Sequence, residues 1–301
     1  MSGFPVRPAT VHRIYRNLAE DVREREQRVR ADLPVETTAA VHEHLRGVVT
    51  DWETGRKSLR TVPACNAVAR QTGRDPGRDA LRLLAGLDAS VNVLDDVIDT
   101  RDLDPETRVA LTANAAFSAT LLAEHCPSDD REAVVDRLRE YFTALFQIPL
   151  VESRLLAEMA GATDDAGRTD AAERVYAYRA RDIDAFARIA TLVSGVDGDA
   201  ERRLLGDLRT YRARRLLFKD IADVERDLAD GDETPVVHLL RHRDSVDAVV
   251  DAVEELYGRF AYSDAGADRY GDLLAGLEDP PADLRSTLRE TEARVSTAEG
   301  G

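Results

Sequence analysis

Apolar residues recur every three or four positions through almost the whole chain, and this period limits the fold more than any other feature. Leu81, Leu84, Leu87, Val91, Leu94 and Ile98 form one stripe, and Val134, Leu138, Tyr141, Leu145 and Ile148 a second. Val175, Tyr178, Ile183, Phe186, Ile189 and Val193 form a third, ended by Gly195. A fourth runs through Leu204, Leu208, Tyr211, Phe218, Ile221 and Leu228 to Gly231, which has the place of a C-cap. A fifth, Val246, Val249, Val253, Leu256 and Phe260, follows Asp244-Ser245, residues able to cap a helix start. Pro34, Pro63, Pro76, Pro105, Pro127, Pro149, Pro235 and Pro280 punctuate the stripes, because proline is excluded from helix interiors. No alternating β run, hairpin signal or repeat of fixed period stands beside them. The pattern predicts one all-α domain over residues 1–301 with roughly ten helices. Ala162 to Thr169 and Asp264 to Asp272 read as loops, and 296–301 as a frayed tail.

Charge narrows the partners. Fifty-seven acids against 41 bases give a formal charge of −16 and a pI near 4.9. Such a surface repels nucleic-acid backbones and anionic membranes, so no nucleic-acid partner is expected. All but two of the bases, Lys57 and Lys219, are arginine. Abundant aspartate with almost no lysine is similar to the proteins of salt-loving microbes, and a halophilic archaeon is the expected source. Cys65 and Cys126 form no CxxC pair and read as reduced, small core residues. No signal peptide and no run of about 18 apolar residues is present, so a cytoplasmic protein without stable membrane insertion is expected.

The candidate chemistry begins at Asp95-Asp96-Val97-Ile98-Asp99, where three carboxylates project from one turn of the most apolar helix. Like charges at these spacings repel, and burial would add to the cost unless a cation is present. Hard oxygen ligands suit Mg²⁺, which is often bridged to substrate phosphates. With aspartate so frequent, DDxxD alone is expected by chance in about one such chain in two. A second set, Asp220, Asp223 and Asp227, has i, i+3, i+7 spacing on another long helix. Either a second metal-binding face or a solvated outer face accounts for it.

Together these residues resemble the trans-prenyltransferases, the isoprenyl diphosphate synthases of the class I isoprenoid-synthase superfamily. DDxxD is met by Asp95, Asp96 and Asp99, and the upstream GGKxxRP signature by Gly55-Arg56-Lys57-Ser58-Leu59-Arg60-Thr61. The second DDxxD falls on Lys219-Asp220-Ile221-Ala222-Asp223, followed by Glu233-Thr234-Pro235 in the place of K-x-T-x-P. The resemblance implies a single large helical bundle of the isoprenoid-synthase type around a central cavity. It implies Mg²⁺ held by Asp95, Asp96, Asp99, Asp220 and Asp223, ionisation of an allylic diphosphate, and attack by isopentenyl diphosphate, anchored through Lys57 and Arg60. It also implies isoprenoid diphosphates as ligands and a homodimer, or a heteromer with another prenyltransferase subunit. Chain length in the family is limited by bulk one turn before DDxxD, and the small Ser90 and Val91 would leave room there for a product longer than fifteen carbons.

Four positions depart from the family's pattern. Asp88 stands where a histidine often helps to bind isopentenyl diphosphate, placing an anion beside an anion. Asp104-Pro105 replaces paired arginines, for which Arg101 and Arg108 are candidate substitutes. Arg181-Asp182 is the nearest counterpart of a mid-chain Lys-Thr pair. Lys219 occupies a metal-ligand position, where its ammonium would replace a metal ion by pairing with Asp223 or with diphosphate; the alternative is a lysine that snorkels to solvent. Asp227 joins the substrate-binding candidates. The departures leave open a terpene synthase or other diphosphate-ionising enzyme, and a non-catalytic regulatory subunit of a prenyltransferase.

Overall fold

The computed structural model describes residues 6–14, 16–17, 20, 59–74, 76–99, 126, 129–243, 245–278, 280–281, 283–289 and 291, with backbone alone at 93 and 96–99. Among the described residues there is no β-strand, and nine helices have eight residues or more. They are α1 (Thr61–Thr72), α2 (Arg78–Asp99), α3 (Arg131–Leu145), α4 (Ile148–Gly161), α5 (Asp165–Arg179), α6 (Asp184–Val193), α7 (Gly198–Asp230), α8 (Pro235–His242) and α9 (Val246–Arg259). Two compact units divide them, one drawn from Met1–Asp136 and Phe186–Asp197, the other from Arg137–Ala185 and Gly198–Gly301.

In the first unit α1 packs on α2. Leu81, Leu84, Leu87 and Val91 are buried, as their spacing requires, and Cys65 and Cys126 are free and buried. The N-terminal segment is clasped to α1 by Asn66, whose amide accepts from Val6 N–H at 2.6 Å and donates to Val6 O at 3.0 Å. Helix α1 stops at Gly73, whose φ of 68° is open to glycine at little cost.

In the second unit α4 packs along α5, and α7 packs on α5, α8 and α9. One core joins them, with Tyr176 from α5, Leu217 and Ile221 from α7, Val236 from α8 and Val253 and Leu256 from α9. Helix α7 ends as its sequence implies. Gly231 has φ 73°, and Asp232 N–H reaches back to Asp227 O at 2.8 Å. Ser245 caps α9 by accepting from Ala248 N–H at 3.2 Å. Pro149 and Pro235 stand in the first turns of α4 and α8, where a missing N–H costs nothing.

Four places differ from the periodic reading. The second stripe breaks at Phe146-Gln147, and the third is interrupted by a 3₁₀ turn, Ala180–Ile183. Apolar periodicity survives a change of helix type, so it does not mark such breaks. The predicted loop at 162–169 is mostly the first turn of α5, because Asp164 caps it by accepting from Gly167 N–H at 2.7 Å. Likewise 264–272 is a helical turn, Asp264–Gly266, passing into a π-turn, Ala267–Gly271. Buried Asp207 on α7 anchors it, accepting from Ser263 N–H, Ser263 Oγ and Tyr270 OH at 2.6–2.7 Å. A Cβ at Gly266 would run into that carboxylate.

Candidate functional site

Asp88, Asn92 and Asp95 follow one another at i, i+4 and i+7 on α2, a polar stripe beside the apolar one. The stripe leads into the acidic turn. Asp88 is fully buried yet accepts three hydrogen bonds: from Arg60 N–H at 3.1 Å, Thr61 N–H at 2.8 Å and Thr61 Oγ1 at 2.6 Å. It therefore caps α1 from another helix, since the side chain at the N-cap position, Arg60, accepts no such bond. Burial pushes the Asp88 carboxyl up from its ordinary range, while the adjacent Arg60 charge and the three donors pull it down.

Arg60 is buried as well, and its guanidinium lies along the same stripe. One nitrogen bonds Asn92 Oδ1 at 3.2 Å and stands 3.5 Å from Asp88 Oδ1; another bonds Asp95 Oδ2 at 3.3 Å. One positive charge is shared between two carboxylates on one helix. Asp95, 39% exposed, is the outer end of this row. The carboxylate expected to repel isopentenyl diphosphate thus turns inward and holds Arg60, the residue expected to anchor it. The Asp96 and Asp99 side chains lie outside the described residues, as do Lys57, Arg101 and Arg108.

The second acidic set is in the other unit. Asp220 is buried on α7, and its Oδ2 accepts from Tyr176 OH at 3.0 Å and Arg179 Nη1 at 2.7 Å. Arg179 also approaches Glu152 on α4 at 3.4 Å. Burial and the Asp220 charge hold the Tyr176 hydroxyl well above its usual range, so it remains a donor. Asp223 Oδ2 is met by Lys219 Nζ at 3.3 Å and Arg226 Nη2 at 3.0 Å. Arg226 reaches Asp227 Oδ1 at 3.2 Å too. Burial, with the neighbouring Asp220 charge added, pushes the Asp227 carboxyl up to about 6 against the pull of Arg226. Lys219 thus pairs with Asp223.

The two residues offered for a mid-chain pair separate. Arg181 is exposed over the Tyr178 ring, 4.9 Å from its centroid. Asp182 is buried and receives Arg212 through contacts of 2.6–3.1 Å. Thr234 caps α8 by accepting from Val237 N–H at 3.3 Å, a local reason for the Thr-Pro sequence. Among the described residues, no three His, Cys, Asp or Glu side chains gather as a ready metal cage. Oxygen donors of the kind Mg²⁺ takes are present in both sets; the cations already on them differ.

Sequence reasoning missed Arg179, Tyr176 and Asn92. Asn92 was readable from its helical spacing to Asp88 and Asp95. Arg179 and Tyr176 share a face at i, i+3, but nothing local ties them to a carboxylate more than forty positions away.

No protein-family model matches the sequence, and no curated protein matches it. Solved structures do resemble it. A putative geranylgeranyl pyrophosphate synthase from Corynebacterium glutamicum superposes with a TM-score of 0.58 at 15% identity, over 96% of this chain and 97% of that one. A geranylgeranyl pyrophosphate synthase from Corynebacterium glutamicum, complexed with isoprenyl diphosphate and magnesium, gives 0.51 at 13% identity, over 96% and 99%. The chain has the all-α fold of isoprenyl diphosphate synthases. Among the described residues, no helix is long and apolar enough to cross a membrane.

Proposed function

We propose that the protein is a prenyltransferase that ionises an allylic diphosphate and joins the allyl fragment to isopentenyl diphosphate, releasing inorganic diphosphate and one proton from the isopentenyl unit. The supporting observation is the polar row on α2, which ends in the Asp95–Asp99 turn, in a chain with this fold. The fold alone hosts many chemistries and would not carry the reading.

Asp95, Asp96 and Asp99 would hold Mg²⁺ through carboxylate oxygens. Bound there, the ion supplies neutralisation of the diphosphate and of the charge it gathers on leaving. Arg60, fixed by Asp88 and Asn92, adds a guanidinium whose planar donors suit phosphate oxygens. Lys57 is the candidate second cation for isopentenyl diphosphate.

The sharing of Arg60 between Asp88 and Asp95 favours a second reading, in which a single diphosphate is ionised without an isopentenyl acceptor. One experiment separates them. The purified protein is incubated at high salt with Mg²⁺ and allylic diphosphates of ten, fifteen and twenty carbons, with and without isopentenyl diphosphate, and the products are identified. Longer diphosphates support condensation. Hydrocarbons or alcohols formed without the acceptor support the second reading, and unchanged substrate in every arm overturns both.

A further inference from the structure

We propose that the acidic face of α7 takes no metal ion of its own, because Arg179, Lys219 and Arg226 are built in as its counter-ions. The inference deepens the reading above and rests on it only for the choice of probe. Each carboxylate of the set has a cation in contact: Asp220 has Arg179 at 2.7 Å, Asp223 has Arg226 at 3.0 Å and Lys219 at 3.3 Å, and Asp227 has Arg226 at 3.2 Å. Three carboxylates of α7 thus meet three cations, one of which, Arg179, also serves Glu152.

Asp220 is the hardest to reach. Tyr176 and Arg179 share one of its oxygens, and the residue is buried. A metal there would have to displace an arginine that also approaches Glu152 and stands 5.9 Å from the Tyr176 ring centroid. Mg²⁺ demands near-octahedral geometry, sheds water reluctantly, and would enter beside fixed positive charges. Asp223 is more open at 24% exposure, yet one of its oxygens already receives two cations. Lys219 precedes Asp223 by four residues, the less favourable order for a helix-stabilising pair. Its place is better explained by the carboxylate it neutralises than by helix stability.

Manganese serves as a paramagnetic stand-in for Mg²⁺ and inorganic pyrophosphate as the ligand probe. Bound ions per chain are counted from the loss of the free-ion spin-resonance signal, after circular dichroism confirms that each variant is helical. Wild type and Asp223→Asn are expected to bind the same number, and Asp95→Asn fewer. Lys219→Asp combined with Arg226→Gln, which removes two counter-ions and adds a carboxylate, is expected to bind one more. Loss of an ion in Asp223→Asn overturns the proposal, and so does an unchanged count in the double variant. No ion or pyrophosphate on wild type would sink the proposed function instead, while the double variant still decides the α7 face by its gain of an ion.

Discussion

Two acidic helices in this chain manage repulsion in different ways. On α2, Asp88 and Asp95 share one arginine, which arrives with the N-terminus of a different helix, and the inner carboxylate caps that helix as well. On α7, Lys219 and Arg226 come from the same helix as the carboxylates, and Arg179 comes from α5. The α2 arrangement ties two helices together through one buried cluster. The α7 arrangement neutralises its carboxylates largely from its own surface. The first is therefore expected to govern stability and chemistry strongly, and Asp223 and Asp227 of the second weakly.

The largest effect falls on Asp88. Asp88→Ala removes three accepted hydrogen bonds and takes one carboxylate away from the buried Arg60. Breaking a buried pair in this way costs about 3–5 kcal/mol, measured as the change in urea unfolding free energy. Asp88→Asn keeps one acceptor oxygen and should cost about half as much. A loss below about 1 kcal/mol for Asp88→Ala would mean that Arg60 turns wholly onto Asp95, and the contrast between the two helices would collapse.

Next in size is catalysis. If the α2 turn carries the chemistry, Asp95→Asn lowers kcat about 100-fold or more, in line with losing one group that stabilises a departing anion. Asp223→Asn should stay within about threefold of wild type. Equal losses at the two positions would show that both helices serve the reaction alike.

How much of this was legible follows from where the partners lie. The helices were readable because burial of one stripe repeats every turn, and Gly231 and Ser245 mark their ends through local geometry. Short-range pairs were readable for the same reason: Lys219 lies four residues from Asp223, and they meet. Asp88 was visible as an odd anion, but its direction was not. That depended on the open N–H groups at the start of α1, 27 and 28 positions earlier in the chain. Arg179 on Asp220 escaped for a like reason. Which arginine of many finds a buried carboxylate is decided by packing, and periodicity carries no information about it.

A smaller effect is expected at Asp227, with a pH signature. Its folded pKa of about 6 lies above the ordinary 3.8, so the folded state holds the proton more tightly than the unfolded one. The contribution to stability is fully present below about pH 4 and is lost as pH rises through 6. Asp227→Asn, which cannot ionise, should therefore be more stable than wild type at pH 8, by on the order of 1–2 kcal/mol. The gain should vanish near pH 4. A difference that stays flat across this range would mean that the burial cost is already cancelled by Arg226, and that the α7 face is better neutralised than its pKa implies.

The smallest effect tests how self-sufficient the α7 face is. Lys219 is 32% exposed, and it shares Asp223 with an arginine that is 56% exposed. Lys219→Ala should cost only a few tenths of a kcal/mol, because Arg226 still neutralises the carboxylate and partly exposed pairs are screened. Arg226→Ala should cost a similar amount. Made together, the two changes leave Asp223 without either cation, so the loss should exceed the sum of the single losses. Raising the salt from about 0.1 M to 1 M shortens the screening length from about 10 Å to 3 Å and should shrink that excess. The Arg179–Asp220 pair, buried on its acidic side, should respond far less to the same change. An excess on α7 that persists at high salt would place Asp223 in the same buried class as Asp88, and the two helices would differ only in where their cations originate.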